Sequence, residues 1–590
     1  MSGTAFLGVE RSALAHRWTG PGAEVERMGL AIAQRAGLPE IVGRILALRG
    51  VAPEAAQGYL DPTLKSLMPD PSVVTDLDRA AERLAEAVMH QQRIAVFGDY
   101  DVDGAASTAL LLDWLRALGL AATPYIPDRI DEGYGPNVPA MTELGKTHDL
   151  ILCVDCGTLS HEPLAAARQA GADVLVIDHH LPGETLPPAL AVVNPNRPDD
   201  ASTLAHLCAA GVVFLLLVAA NRCLRGKGVF AERHEPDLRH ALDLVAVATV
   251  ADVAPLIGLN RAFVRQGLKV LAGRGRPGLA ALADTSGLSA PPSSRDLGFA
   301  IGPRINAGGR IGQADLGLRL LTAQSAAEAE ALAARLDALN RERRALEAQV
   351  LDAALAQVET RDQAAPLIWA AGEGWHPGVV GIVASRLKER FNRPAVVIGM
   401  MNGEAKGSGR SVSGIDLGAA VAEAARTGLL LKGGGHKMAA GLSVAPDRIS
   451  AAMEAISVHL AAQGAGQAGP QDLAIDGAVM PAAATPDLVE TIEAAGPFGP
   501  ANPAPRLALP RVRLAHLKPV GQGHAQLRLA GPSGPTLEAI AFRAAETGLL
   551  ALFEQARQSD SPLHLVGQLE IDDWGGRRRA KLRVEDAATP

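Results

Sequence analysis

Four times in this chain an apolar run of strand type ends and residues able to ligate a metal follow at once. RIAVFG (93–98) is followed by Asp99, Asp101 and Asp103, and LILCV (150–154) by Asp155. DVLVI (173–177) leads into Asp178, His179 and His180, and LDLVAVATVA (242–251) into Asp252. In an α/β sheet the carboxyl ends of parallel strands line one edge, and ligands bind there. The pattern therefore predicts a parallel sheet that gathers these side chains at one site. Unpaired like charges repel, so no fold gains stability from such a cluster. Bound cations relieve the repulsion, and a metal-dependent enzyme is expected.

Between about residues 90 and 256 apolar runs alternate with helical stretches, the mark of a parallel sheet with crossover helices. At 590 residues the chain has room for about three to five domains of ~100–200 residues each. Residues 1–85 read as a mixed, helix-leaning segment and 86–325 as the domain carrying the ligands. The stretch 326–362 has no Gly or Pro and predicts one long connecting helix. A second α/β unit spans 363–462, and AAQGAGQAGPQ (461–471) is a flexible linker. From 472 to 590 short strands alternate with turns, as in a small β-barrel.

Along a strand, alternate residues point the same way about 6.6 Å apart. Asp101 and Asp103 could flank a pair of ions ~4 Å apart, with Asp155 as the bridge and His179 and Asp252 completing one shell. A mostly oxygen set with one imidazole suits Mn²⁺ or Mg²⁺. Asp99 reads as a second-layer or outer strand residue, and Asp178 as the group that orients the neighbouring histidines. Two look-alikes are set aside. Cys153 and Cys156 have CxxC spacing without a second pair, and four cysteines in all make no disulfide scaffold. GRGRPG (273–278) follows a helix-like segment rather than the strand that a dinucleotide fingerprint requires.

The net charge of −8 gives no global nucleic-acid signal, so a polyanion would need local basic patches. Aromatic residues make up 3%, too few for a long base-stacking ladder. The apolar segment 207–220 is of core-helix length, short of a membrane span. With no basic-then-apolar leader, a cytoplasmic protein is expected.

GDYDVDG (98–104), VDCG (154–157), DHH (178–180) and TVADVAPL (249–256) resemble the signature motifs of the DHH phosphoesterase superfamily. GRSVSGIDL (409–417) with GGGHKMAAG (433–441) resembles the companion DHHA1 substrate domain. GYGPN (133–137), GPRINAGGRIG (302–312), GWHPGVVGIVASRLKERFNRPAVVI (374–398) and the tail from GPFGPANPAPRL (496–507) are most similar to the RecJ family of bacterial single-strand-specific DNA exonucleases. The resemblance implies an α/β fold: a parallel-sheet DHH catalytic domain, a long helix, a smaller α/β DHHA1 domain and a C-terminal OB-like barrel.

It further implies two ions, Mn²⁺ or Mg²⁺, one held by Asp101 and Asp155 and the other by Asp103, Asp155, His179 and Asp252. His180 would contact the scissile phosphate. Ser408, Arg410 and His436 would lie at the nucleotide backbone, and Arg304, Asn306 and Arg129 would bind phosphates. The implied reaction is stepwise 5′→3′ removal of nucleotides from single-stranded DNA in repair and recombination. A single-strand-binding protein and a helicase are the implied protein partners, and the implied state is a monomer. Pyrophosphatase-like relatives carry a histidine where this chain has Phe97. In the tail, Arg579, Lys581 and Arg583 share one strand face beside Trp574, which suits either a basic DNA groove or a charged edge strand. RERR (341–344) reads as the solvated face of the long helix. Two rivals stand beside the exonuclease: a phosphodiesterase for very short or cyclic oligonucleotides, and a non-catalytic DNA-binding scaffold.

Overall fold

The structure, a computed structural model, describes residues 5–129, 131–401, 403–466, 471–531, 534–572 and 578–590. Five parallel strands form the first sheet, in the order Ala122–Tyr125, Ile94–Gly98, Leu150–Val154, Asp173–Ile177, Ala191–Val193. The strands are short, apolar and buried because helices cover both faces. Leu77–Met89, Val102–Ala117 and Ala209–Gly226 pack on one face, and Val138–Thr147 with His161–Ala170 on the other. The strand order reverses between Ile94–Gly98 and Leu150–Val154, so a crevice opens at their carboxyl ends. Asp99–Asp103 and Asp155 emerge there.

Two expectations fail locally. The run 242–251 is the helix Leu242–Ala251 rather than a strand, with Asp252 at its C-cap. Apart from Asp243 and Thr249 its residues are apolar, so neither period stands out and burial decides. Asp101 and Asp103 do not lie on an extended strand either. The strand stops at Gly98, and the Asp101 carboxylate accepts from the Asp103 and Gly104 amides at 2.9 and 3.1 Å, capping Val102–Ala117. The apolar segment at 207–220 extends into an 18-residue helix, Ala209–Gly226. Among the described residues it is the one helix long and apolar enough to cross a membrane, and it is mostly buried in the first domain.

Ala326–Glu359 is a single helix about 50 Å long. Ala329, Leu332, Leu336 and Leu339 sit in the first domain's core, whereas Val350, Ala354 and Val358 sit in the second's. Sharing one helix fixes the two domains against each other. The second sheet runs Lys432–His436, Ala439–Val444, Glu404–Arg410, Ala395–Met401, Ile368–Glu373. Beyond it five strands close into a barrel, since Leu507–Val520 pairs with both His524–Ala530 and Leu563–Asp572.

The N-terminal segment belongs in part to that barrel. Its strand His16–Thr19 pairs in parallel with Gln471–Ala474, and Ile32, Val42, Ile45 and Leu46 join the barrel's core. Buried Asp586, on the last barrel strand, accepts from Trp18 Nε1 at 3.0 Å and from Ala587 N at 2.8 Å, and its Oδ2 lies 3.1 Å from His16 Nδ1. Asp586→Ala leaves the Trp18 N–H buried without an acceptor. It is expected to cost about 1–3 kcal/mol of stability, measured by urea unfolding followed through tryptophan fluorescence.

Candidate metal centre and substrate cleft

Close backbone approach builds the first ligand turn. A Cβ on Gly104 would lie 2.4 Å from Asp99 O, and one on Gly98 2.2 Å from Thr108 Oγ1, so only glycine fits either position. Asp155 follows its strand with φ of +60°, a left-handed backbone that costs a non-glycine residue about 1–2 kcal/mol. Such strain persists where surrounding structure imposes it, commonly at functional sites.

These turns bring Asp99, Asp101, Asp103, Asp155, His179, His180 and Asp252 together. Three sets have ligand atoms within 4.8 Å of one another: Asp155 with both histidines; Asp103, His179 and Asp252; and Asp99, Asp101 and Asp155. Asp155 belongs to two of them. His179 Nε2 stands 3.2 Å from Asp155 Oδ1, 3.7 Å from Asp103 Oδ2 and 3.8 Å from Asp252 Oδ2. Asp99 Oδ1, Asp155 Oδ1 and His179 Nε2 are buried without a hydrogen-bond partner. Orphaned buried acceptors facing one another fit a cation, and the oxygen-rich set fits Mn²⁺ or Mg²⁺.

Burial is the main force on the metal-free carboxyls, and neighbouring carboxylates add to it. Together they push Asp99 and Asp155 well up, raise Asp103, and take Asp252 to about 9. Asp178 behaves differently. Burial alone would raise it, but hydrogen bonds from His180 and Thr158 hold it well below the usual carboxylate range. Its Oδ1 accepts from His179 N at 2.8 Å and lies 2.8 Å from His180 Nδ1. Burial would lower His180, yet Asp178 outweighs it and brings the ring to about 9. The Tyr134 hydroxyl, 3.1 Å from His180 Nδ1 and from Asp155 O, steadies the same ring.

One contributor carried no signal in the sequence. Both Asp103 oxygens accept backbone amides from the start of Ala209–Gly226, Ala209 N at 2.7 Å and Ala210 N at 2.8 Å. A helix N-terminus favours negative charge, so this core helix also orients a ligand.

The facing wall comes from the glycine-rich run 302–312, which folds as the helix Gly302–Ile311. Gly309 packs on the Tyr100 backbone, where a Cβ would lie 2.5 Å from its carbonyl oxygen. Asn306 Oδ1 accepts from Val102 N at 3.1 Å, bracing the Asp101–Asp103 turn. Arg304 is turned to Asp337 at 2.9 Å and to the Ala300 carbonyl at 2.8 Å, so it is already satisfied by protein partners.

Arg310, which the sequence reading missed, sits deeper. It donates to Gly378 O at 3.1 Å, and burial with Arg129 and Arg343 nearby lowers it to about 10. Arg129 lies over the Tyr100 ring at 5.0 Å, and Arg410 donates to Ser408 Oγ at 3.0 Å. Among the described residues none of Arg129, Arg310 and Arg410 has a carboxylate within ion-pair distance. Three guanidiniums without an ion-pair partner among the described residues, beside the ligands, make an anion site. His436 is exposed at the end of Lys432–His436. On the barrel, Lys581 pairs with Asp572 at 3.3 Å and Arg583 with Glu570 at 2.7 Å, a cross-strand ion-pair ladder; Trp574 lies outside the described residues.

Three family models match the chain: the DHH family N-terminal domain over residues 93–249, the DHHA1 domain over 364–461 and the RecJ OB domain over 475–586. The chain is 39% identical to the single-stranded-DNA-specific exonuclease RecJ of Dickeya dadantii and 36% identical to that of Escherichia coli, in both cases covering 93% of this chain and 96% of the relative. Its structure is similar to that of RecJ in complex with Mn²⁺ from Thermus thermophilus, with a TM-score of 0.79 at 31% identity, covering 97% of this chain and 80% of that one. The Mg²⁺ complex from the same organism matches with a TM-score of 0.72 at 28% identity, covering 97% and 78%.

Proposed function

The chain belongs to the RecJ family of single-stranded-DNA-specific exonucleases, and from that premise we propose that it releases nucleotides stepwise from the 5′ end of single-stranded DNA at a centre of two divalent cations. The observation that carries the reading is the pair Asp155 Oδ1 and His179 Nε2, buried, unbonded and 3.2 Å apart, inside a ring of four more carboxylates.

Asp101 and Asp155 would hold one cation, and Asp103, Asp155, His179 and Asp252 the other. Cations held there would lower the pKa of a bound water and offset charge on the transferring phosphate. His180, kept protonated by Asp178, donates to a phosphate oxygen as negative charge grows on it. Water adds to phosphorus and the bond from phosphorus to one sugar oxygen breaks. That oxygen takes up a proton, and a mononucleotide leaves the shortened strand. Arg129, Arg310, Arg410 and Ser408 hold the terminal phosphate. His436 would meet the nucleotide backbone, and Asn306 acts through the Asp101–Asp103 turn.

The protein works as a monomer in the cytoplasm, in repair and recombination. A helicase exposes its strand, and a single-strand-binding protein presents it. The direct test uses single-stranded and duplex oligonucleotides labelled at the 5′ or the 3′ end, with Mn²⁺ or with EDTA. Mn²⁺-dependent release of 5′-terminal mononucleotides from single strands alone is the expected result. Cleavage confined to di- and trinucleotides would favour the short-oligonucleotide phosphodiesterase, and binding without cleavage a scaffold. Arg310→Ala is expected to reduce the preference for a 5′-phosphate over a 5′-hydroxyl end about tenfold, as the loss of one charge-assisted contact predicts. Steady-state rates on the paired substrates measure it.

A further inference from the structure

Phe299 is 74% exposed in a chain with few aromatic residues. A single exposed apolar side chain is ordinary on a protein surface. Its setting is not. It occupies the middle of Leu297–Ile301, a π-helical turn between Ser294–Asp296 and Gly302–Ile311. π-Turns are rare and concentrate at functional sites. Leu297 and Ile301 at the ends of the turn are buried, and Phe299 between them points into solvent.

The turn is pressed onto the end of the helix that delivers Asp252. A Cβ on Gly302 would lie 3.1 Å from Ala251 Cβ, and one on Gly298 3.5 Å from Val250 Cγ1. Phe299 also borders a cleft of about 480 Å³, whose lining includes Asn306, Arg310, Arg343, Arg344 and Arg386 with Glu347 as the one acid. That volume lies within the ~300–1,000 Å³ of small-ligand sites. Glu347 serves both Arg343 at 2.8 Å and Arg386 at 3.4 Å, Arg386 also lies 3.7 Å from Glu389, and Arg344 has no acidic partner among the described residues. An apolar ring at the mouth of a cationic cleft matches a nucleotide, which offers an aromatic face and a negative backbone together.

We propose that Phe299 is a stacking platform for a base of the retained strand, on the 3′ side of the scissile phosphate, with Arg344 and Arg386 on the adjoining backbone. The assignment rests on the exonuclease reading and adds a subsite to it. Arg310 and its neighbours take the terminal nucleotide at one end of the cleft. Phe299 holds the next part of the strand at the other, toward the barrel, to which its turn is tied by Ser294 Oγ donating to Phe498 O at 3.2 Å. RERR (341–344), taken from the sequence as a solvated face, thus supplies part of the strand's path.

Phe299→Ala and Phe299→Trp test this on the full-length protein with Mn²⁺ and oligo(dT). Phe299→Ala is expected to raise KM about tenfold while kcat changes little, the effect of losing one stacked base. Phe299→Trp is expected to restore KM, and its added fluorescence to be quenched by oligo(dT). An unchanged KM in Phe299→Ala, or unquenched emission in Phe299→Trp, overturns the platform. Failure of the unmutated protein to degrade oligo(dT) overturns the exonuclease reading instead. Melting temperatures of both variants should match the parent, because the side chain supports no core.

Discussion

Asp155→Ala is expected to fold normally and to hydrolyse single-stranded DNA about a thousandfold more slowly or worse, because one substitution removes a ligand from both proposed cation sites. The same variant separates binding from folding. In the metal-free protein Asp155 is a buried carboxyl crowded by Asp103, Asp101, Asp99 and Asp252, so its removal relieves repulsion. Without metal, therefore, the variant should melt at a higher temperature than the parent. With Mn²⁺ the order should reverse, since only the parent gains from the ion. Calorimetry of both proteins with and without Mn²⁺ reads the crossover. Near-normal turnover by the variant would sink the bridging role, and equal Mn²⁺ stabilisation of both proteins would do the same without any activity assay.

Stripping the metal is expected to leave a protein whose stability falls as pH rises. Asp252, at about 9, keeps in the folded state a proton that an unfolded chain gives up near pH 4, and the raised Asp99, Asp103 and Asp155 shift in the same direction. Between those limits the folded state binds more protons, so raising pH favours unfolding by about 1.4 kcal/mol per pH unit for each proton retained. His180 acts in the same direction. Its folded value of about 9 lies above the ordinary one, so its contribution is complete below about 6.5 and fades as pH rises through 9. Asp178, held low, opposes the trend only in acid, where its contribution is lost as pH falls. Melting temperatures of EDTA-treated protein should thus decline from about pH 6 to about pH 8.5. Over the same range stabilisation by Mn²⁺ should grow, because binding no longer has to displace protons. A flat or rising metal-free profile would contradict the crowding of these carboxyls.

Much of the ligand cluster was legible because its chemistry and its position share one pattern. Asp99, Asp155, Asp178 and the histidines each follow an apolar strand, and a parallel sheet turns that repetition into convergence. Asp252 was found for a partly wrong reason: its apolar run looks the same as a short strand or a buried helix, and length alone did not separate them. The glycines of 302–312 gave no structural reading beyond the family motif; they serve close contacts of a helix, Gly309 with Tyr100 and Gly312 with Leu339. Contacts made by backbone amides left no trace in the sequence, as with Ala209 and Ala210 on Asp103. Arg310 was hidden for another reason. An arginine's role depends on which acids lie near it, and here the decisive fact is that, among the described residues, none comes within ion-pair distance and the one felt nearby is the ligand Asp101. Arg304, in the same motif, is instead claimed by Asp337 from the long helix.

The shared core of the two chain ends has a consequence for how the protein is made. Ile32, Val42, Ile45 and Leu46 leave the ribosome early, but Leu507, Leu527 and Phe553, against which they pack, come last. At ~5–20 residues per second the early helices wait on the order of half a minute or more with their apolar faces uncovered. The catalytic domain can close over its own sheet during that time, since its core is local to one stretch of chain. The helices around Ile32–Leu46 are therefore made before the catalytic domain yet buried after it, and a ribosome that stalls before the barrel leaves a folded enzyme core beside a sticky, uncovered segment.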